Sequence, residues 1–408
     1  SWTAIRAGGQ AVRWLNIEDS SVRWAGAPAP DALEFQSSDF TAQVSEPVVS
    51  LALLAAKEAI CDAGLRPAAD NDQRSQFAEH WGCVIGTSKL GLRSFAHAMR
   101  TKFVESASDA SDWRLLWPDA AVRIVADALG LRGPSLCPVA ACATGLVSLI
   151  RGADLVRSGE CDVVLAGSSD ASLVPIVLGS FQRLGVLARR FDEPSKACRP
   201  FDAERSGFVI GEGAAVLALE DCQHAAARGA SIYAEFVGGG MANDPSGLTQ
   251  VEPDGACLAW LIRDVLRRAD VSPDEIDYIN LHGTATRAND IAETNAIRTA
   301  FGAHADRVLC SSQKGAIGHL LGAAGSVETA IALLALRDQV APPTVNLENV
   351  DSLCDLDYVA GSARPARLRH VMKLSLGFGG HLAVGLFRQP ECGTSSRNPT
   401  DRGLTRRR

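Results

Sequence analysis

Short apolar runs ending in glycine or a small polar residue alternate with longer helical patterns, and that alternation most restricts how this chain folds. Cys83-Val84-Ile85-Gly86, Val163 to Gly167, Ile276 to Leu281 and Val308 to Cys310 read as buried strands. Val48 to Ala63, Leu146 to Ser158 and Gly255 to Ala269 read as helices between them. The order predicts α/β layers on mostly parallel sheets, with ligand sites beyond the C-terminal strand ends. At 408 residues the chain is too long for one simple core, so two similar halves are expected.

A faint internal duplication supports two halves. SLCPVAACATGLVSLIRGADLVRSG reads as strand, small-residue turn and helix, and VLCSSQKGAIGHLLGAAGSVETAIALLALRDQ repeats that order. Each is followed later by a glycine-centred strand pair, at 208–220 and 371–387. The expected division is 1–220, carrying Cys142, and 221–389, carrying two histidines. A disordered, arginine-rich tail is expected over 390–408.

Composition narrows the function. A net charge of -7 argues against a nucleic-acid binder. No apolar run reaches the roughly 18 residues of a membrane span, and no secretory leader pattern opens the chain. Eleven cysteines, without a CxxC pair, fit reduced thiols in a cytoplasmic enzyme better than a disulfide framework or a zinc site.

Three residues stand at strand-to-loop junctions. Cys142, in Val139-Ala-Ala-Cys-Ala-Thr-Gly145, lies between a strand and a helix. There, backbone N–H groups and the positive helix end would lower a thiol pKa and activate it. The same pattern also suits a buried structural cysteine in a tight turn. His282, in Leu281-His-Gly-Thr-Ala-Thr286, follows a strand, and His319 precedes a helix in Lys314-Gly-Ala-Ile-Gly-His319. A lone histidine is more often structural, but two such loops beside a cysteine loop point to one site. If buried, Lys314 favours neutral imidazoles nearby.

These segments resemble the beta-ketoacyl-acyl-carrier-protein synthases of the long-chain elongating, decarboxylating type, within the thiolase superfamily. The resemblance rests on AACATG at Cys142, RPFDAERSGFVIGEGA at 199–214, LHGTATRANDIAE at 281–293, SSQKGAIGHLLGAAGSVE at 311–328, RDQVAPPTVNLEN at 337–349 and GFGGH at 377–381. It implies a duplicated thiolase-like α-β-α-β-α fold with two mixed five-stranded sheets, and a homodimer. It implies that Cys142 accepts an acyl group and that His282 and His319 stabilise an enolate formed by decarboxylation of a malonyl thioester. Lys314 matches the family's active-site lysine and Glu293 a carboxylate supporting it. The amides of Cys142 and Phe378 would form the oxyanion hole. Thr284 and Thr286 match the pair that binds the phosphopantetheine arm. Phe378, on a loop loosened by Gly377, Gly379 and Gly380, matches the acyl-pocket gate. No cofactor is implied on the enzyme; phosphopantetheine arrives on the acyl carrier protein, the implied partner.

Several positions depart from the family. Ser1 to Arg6 already resembles its first helix, so a central strand is expected to be absent from this chain. Glu46 stands where a basic carrier-docking stretch is usual, which shifts the expected docking role to Arg199. Arg287 stands where proline is common, and Leu376 replaces a usual phenylalanine. Rival readings are a non-decarboxylating thiolase or Cys-His-Asn priming synthase, a non-catalytic chain-length-factor partner, and a Cys–His hydrolase. Lys314 with His319 favours the two-histidine class, and the presence of Cys142 argues against the non-catalytic partner.

Overall fold

The computed structural model describes residues 1–16, 23–29, 46–65, 80–89, 91–103, 113–189 and 191–391. All but the first two residues of the expected tail lie outside them, as do residues 41–45 of the expected docking stretch. The N-terminal half builds a sheet from β1 (Trp81–Gly86), β2 (Ser135–Leu136), β3 (Val163–Asp170) and β4 (Gly213–Glu220), ordered β2-β1-β3-β4. Every residue of β1 and β3 is buried, which is why both read as continuous apolar runs. The C-terminal half builds β5 (Glu235–Asn243), β6 (Tyr278–Asn280), β7 (Leu309–Ser311), β8 (His370–Gly377) and β9 (His381–Arg388), ordered β7-β6-β8-β9-β5.

The two sheets match strand for strand. β1 and β6 are each parallel to both neighbours, while β4 and β9 run antiparallel to β3 and β8. Only β5 lacks a counterpart, so the N-terminal sheet has four strands among the described residues where five were expected. The expected central gap is also corrected. β1 and β3 pair without interruption from Trp81↔Val163 to Gly86↔Ser168. The unmatched place is the outer edge of β4, equivalent to β5 on β9, and an edge position leaves one open ladder rather than two. In keeping with that, Val216 is the one fully buried residue of β4.

The expected strand pair at 208–220 is likewise corrected. Ile210–Gly211 pairs with Trp24–Ala27 in a separate small sheet, and only β4 joins the main one. The true counterpart of the β8–β9 hairpin is β3–β4. Residues 171–212, including the helix Pro175–Leu184, separate those strands and hide the pairing from sequence. Among the described residues the cysteines are also not uniformly reduced: nine are free, but Cys222, at the partly exposed start of the helix Cys222–Ala227, is disulfide-bonded.

Helix α1 (Pro47–Ala63) covers the outer face of the N-terminal sheet, and α3 (Ala256–Ala269) with α4 (Arg287–Phe301) covers that of the C-terminal sheet. Between the sheets lie α2 (Thr144–Arg157) and α5 (Ala324–Asp338), the helices of the duplicated segment. The stack is the expected α-β-α-β-α. Each central helix follows a one-turn segment, Ala141–Ala143 or Leu321–Ala323, entered through a left-handed residue, Ala141 (φ 47°) or Leu321 (φ 49°). In this alignment Cys142 corresponds to Gly322, and Gly145 to Gly325.

The helices touch through those two glycines. A Cβ on Gly325 would overlap the Leu146 amide nitrogen and lie 3.1 Å from the Gly145 carbonyl carbon. Backbone has no rotamer with which to yield, so overpacking here costs at least the usual ~1–3 kcal/mol. Gly325→Ala is therefore expected to lower the urea-unfolding free energy by about that amount or more. An unchanged midpoint would show that the helices do not meet as described.

Candidate active site

Cys142 sits at the N-terminal turn leading into α2 and is 7% exposed. Gly377, at the end of β8, is backed against it: a Cβ there would lie 3.1 Å from the Cys142 amide nitrogen. Burial pushes the thiol up to about 11, against the pull of the Lys89 and Lys314 charges. This corrects the expectation of a preformed thiolate. At a closed helix start, lost hydration outweighs the nearby positive charge, so the resting sulfur carries its proton.

His282 follows β6, and His319 lies in the loop before α5. Both are buried, with ring centroids 5.3 Å apart and planes nearly perpendicular. Their protonation is set locally. The Leu321 amide donates to His319 Nδ1 at 3.3 Å, and Lys314 Nζ lies 3.5 Å from His282 Nδ1. A ring nitrogen that accepts has no proton, so each neutral ring carries its proton on Nε2. Burial, then the Lys314 charge, holds both imidazoles well below their ordinary pKa, as expected for a buried Lys314. The site therefore holds two neutral N–H donors side by side.

Lys314 and Lys373 are both fully buried and share one carboxylate, Glu328. Each ammonium lies 2.6 Å from a different Glu328 oxygen. Lys314 also donates to the His282 carbonyl, and Lys373 to the Leu281 carbonyl at 3.1 Å. Glu293 is not the partner of Lys314. Its oxygens accept the His282 and Gly283 amides at 2.6 and 2.8 Å, fixing the histidine loop, and burial raises its pKa to about 7. Sequence reasoning missed Glu328 and Lys373. Their signal was a lone charge inside an apolar helix (AGSVETAIALLAL) and inside an apolar strand (VMKLSL), where an unpaired ion would be untenable.

The hydroxyls of Thr284 and Thr286 lie 2.8 Å apart at the mouth of the histidine loop. Phe378 stacks on Phe181 at 6.2 Å. Its neighbours Gly379 (φ 85°) and Gly380 (φ 80°) satisfy a left-handed turn rather than a loose one. Gly379 N–H donates to the Leu248 carbonyl at 2.7 Å, and the Gly380 carbonyl accepts the Asp244 amide at 2.8 Å. Arg199 does not offer a free cation: Asp202, Glu204 and Glu348 surround it at 3.1, 3.4 and 3.6 Å. Glu46 is equally remote from a docking surface, being buried and accepting the Ser94 amide at 2.7 Å.

A stacked pair of related α/β halves, with a helix-start cysteine from one and two histidines from the other, defines a thiolase-like condensing protein. Known families bear this out. The family description "Beta-ketoacyl synthase, N-terminal domain" matches residues 16–225, and "Beta-ketoacyl synthase, C-terminal domain" matches 233–348. The chain belongs to the beta-ketoacyl synthase family.

Its relatives include 3-oxoacyl-[acyl-carrier-protein] synthase 2 of Coxiella burnetii, 44% identical over 61% of this chain and 60% of that one. The same enzyme of Vibrio cholerae is 36% identical over 95% of this chain and 94% of its own. The tetracenomycin polyketide synthase ketoacyl synthase alpha subunit of Streptomyces glaucescens is 35% identical over 96% and 93%. Among solved structures, a type II polyketide acyl-carrier protein in complex with its ketosynthase bound to the hexaketide aligns with a TM-score of 0.87. It is 30% identical over 96% of this chain and 94% of that one. A beta-ketoacyl synthase from Burkholderia phymatum aligns with a TM-score of 0.83, 31% identical over 95% and 94%.

The Lys314–Glu328–Lys373 chain makes a direct prediction. Glu328→Ala strands two buried ammonium groups and is expected to cost about 3–5 kcal/mol in urea unfolding. Glu328→Gln, which keeps the shape and one acceptor, should cost less. Equal midpoints for Glu328→Ala and the parent chain would contradict the assignment.

Proposed function

We propose that this chain is a 3-oxoacyl-[acyl-carrier-protein] synthase, an acyltransferase that elongates acyl chains by decarboxylative Claisen condensation. The observation that carries the reading is the pair of buried imidazoles of His282 and His319, each with Nδ1 facing a donor, next to the turn that packs on the Cys142 turn. The Cys142 sulfur attacks the carbonyl of an acyl thioester, the old C–S bond breaks, and the thiol proton leaves with the released phosphopantetheine thiol. A malonyl thioester then enters past Thr284 and Thr286, whose paired hydroxyls suit the amides of that arm. The two imidazole N–H groups hydrogen-bond its thioester oxygen, so that loss of carbon dioxide leaves a stabilised enolate. The enolate carbon attacks the acyl-Cys142 carbonyl, and the amides of Cys142 and Phe378 receive the oxyanion. Collapse expels the cysteine sulfur, which regains a proton, and frees the 3-oxoacyl product.

The histidines act as donors rather than bases, because their Nδ1 atoms are already engaged. Glu293 and the Lys314–Glu328–Lys373 chain position them. The acyl carrier protein is the partner of this reading, supported by the carrier-bound neighbour. A homodimer is supported by exposed Trp113, Trp117 and Val139 near the open edge strand β2, whose Leu136 is also exposed.

The half-reactions should separate by mutation. Cys142→Ala is expected to abolish acyl loading and condensation while malonyl decarboxylation persists. His282→Ala or His319→Ala should retain some acyl-enzyme but lose decarboxylation by about a hundredfold or more, the scale of one oxyanion donor. Because both imidazole pKa values lie well below 6.5, decarboxylation by Cys142→Ala should show no inflection between pH about 6 and 8. Labelled carbon dioxide release and acyl-enzyme mass measure both halves. Loss of decarboxylation in folded Cys142→Ala, or normal decarboxylation in either histidine variant, would overturn the two-histidine assignment.

A further inference from the structure

One charged side chain near Cys142 is used neither by the mechanism above nor by the Glu328 chain. Lys89 lies just beyond the C-terminal end of β1, with 24% of its side chain exposed. Its Nζ donates to Ser88 Oγ at 2.6 Å and lies 3.6 Å from Asp170 Oδ2 at the end of β3. Asp170 is itself satisfied: it accepts the Ser88 and Ser172 hydroxyls and the Gly322 amide, the last at 3.0 Å. An ammonium has three donors, so one hydrogen bond and a longer ion pair leave Lys89 with donor capacity to spare among the described residues.

Packing brings Lys89 near the nucleophile. Ser88 packs on Gly322, and the turn holding Gly322 packs on the turn holding Cys142. After burial, the Lys89 charge is the largest influence on the Cys142 thiol, ahead of Lys314, and it also acts on His319. Cys142 also shares an apolar cluster with Val174, Val177, Leu178 and Leu321, with Phe181 against it. An alkyl chain fits those side chains, but beside Lys89 it would strip water from an ammonium and return no acceptor. A carbonyl or carboxylate oxygen would replace that water.

We infer that Lys89, within the ketosynthase reading on which this rests, selects acyl groups bearing an oxygen acceptor close to the thioester over plain alkyl groups of equal length. A polar group that must find a partner discriminates more sharply than an apolar wall does. Loading itself is unchanged: the Cys142 sulfur forms the new thioester, the pantetheine C–S bond breaks, and the proton leaves on the released thiol.

Three four-carbon phosphopantetheine thioesters test this: butyryl, acetoacetyl with a ketone, and succinyl with a carboxylate. Acyl-enzyme formation on Cys142 is followed by intact-protein mass. The parent chain is expected to load acetoacetyl, succinyl or both at least tenfold faster than butyryl, and the favoured arm tells carbonyl from carboxylate. Lys89→Met, which keeps length but removes the donors, should bring the ratios within about twofold, and Lys89→Arg should restore them. Asp170 keeps its hydroxyl and amide donors in either variant, so the fold has no need of Lys89. Equal loading of all three by the parent chain, or ratios unchanged in Lys89→Met, would overturn this inference alone. No loading from any thioester would overturn the ketosynthase reading and this inference with it.

Discussion

The backbone contact between Gly145 and Gly325 is the constraint on which the rest depends. It lets α2 and α5 meet without side chains between them, and so brings the Cys142 turn against the Leu321–Ala323 turn. Everything reactive is measured from that junction. Cys142 hangs from the start of α2, while α5 carries Glu328, the carboxylate to which Lys314 and Lys373 are tied. In the duplicated plan the equivalent of Cys142 is Gly322, whose amide holds Asp170 instead of a substrate. One copy of the turn carries Cys142, and the other holds Asp170.

The site's electrostatics follow from burial more than from net charge. Two ammonium groups on one carboxylate leave a local excess of positive charge in a region closed to water. Burial first, and then the Lys314 charge, keeps both imidazoles neutral. The same enclosure keeps the Cys142 thiol protonated at rest. Loading needs no standing base on this account, because the departing thiolate takes the proton. In the proposed mechanism, backbone amides and imidazole N–H groups receive the transient oxyanion.

Much of this was legible in the sequence, for stated reasons. Continuous apolar runs marked β1 and β3, and small residues around Cys142 and His319 marked tight turns. What misled was long-range pairing. β3 and β4 are a hairpin in space but are split by residues 171–212, so the adjacent Ile210–Gly211 passed for the missing partner. A central gap was expected because sequence does not display strand order; comparison of the two sheets shows that, among the described residues, the place without a strand is the β4 edge. Glu293 and Glu328 are equally plausible partners for Lys314 in sequence, and only the fold shows that Glu293 is occupied by two backbone amides. Arg199 looked free because Glu348, one of its three partners, is far away in the chain.

The most direct test of the account is the tautomer and protonation state of His282 and His319, read by nitrogen-15 NMR on the histidine-labelled protein. The account predicts neutral rings, each with its proton on Nε2, unchanged across pH about 6 to 8. An imidazolium signal in that range, or a proton on Nδ1 of either ring, would remove the paired donors and contradict the account.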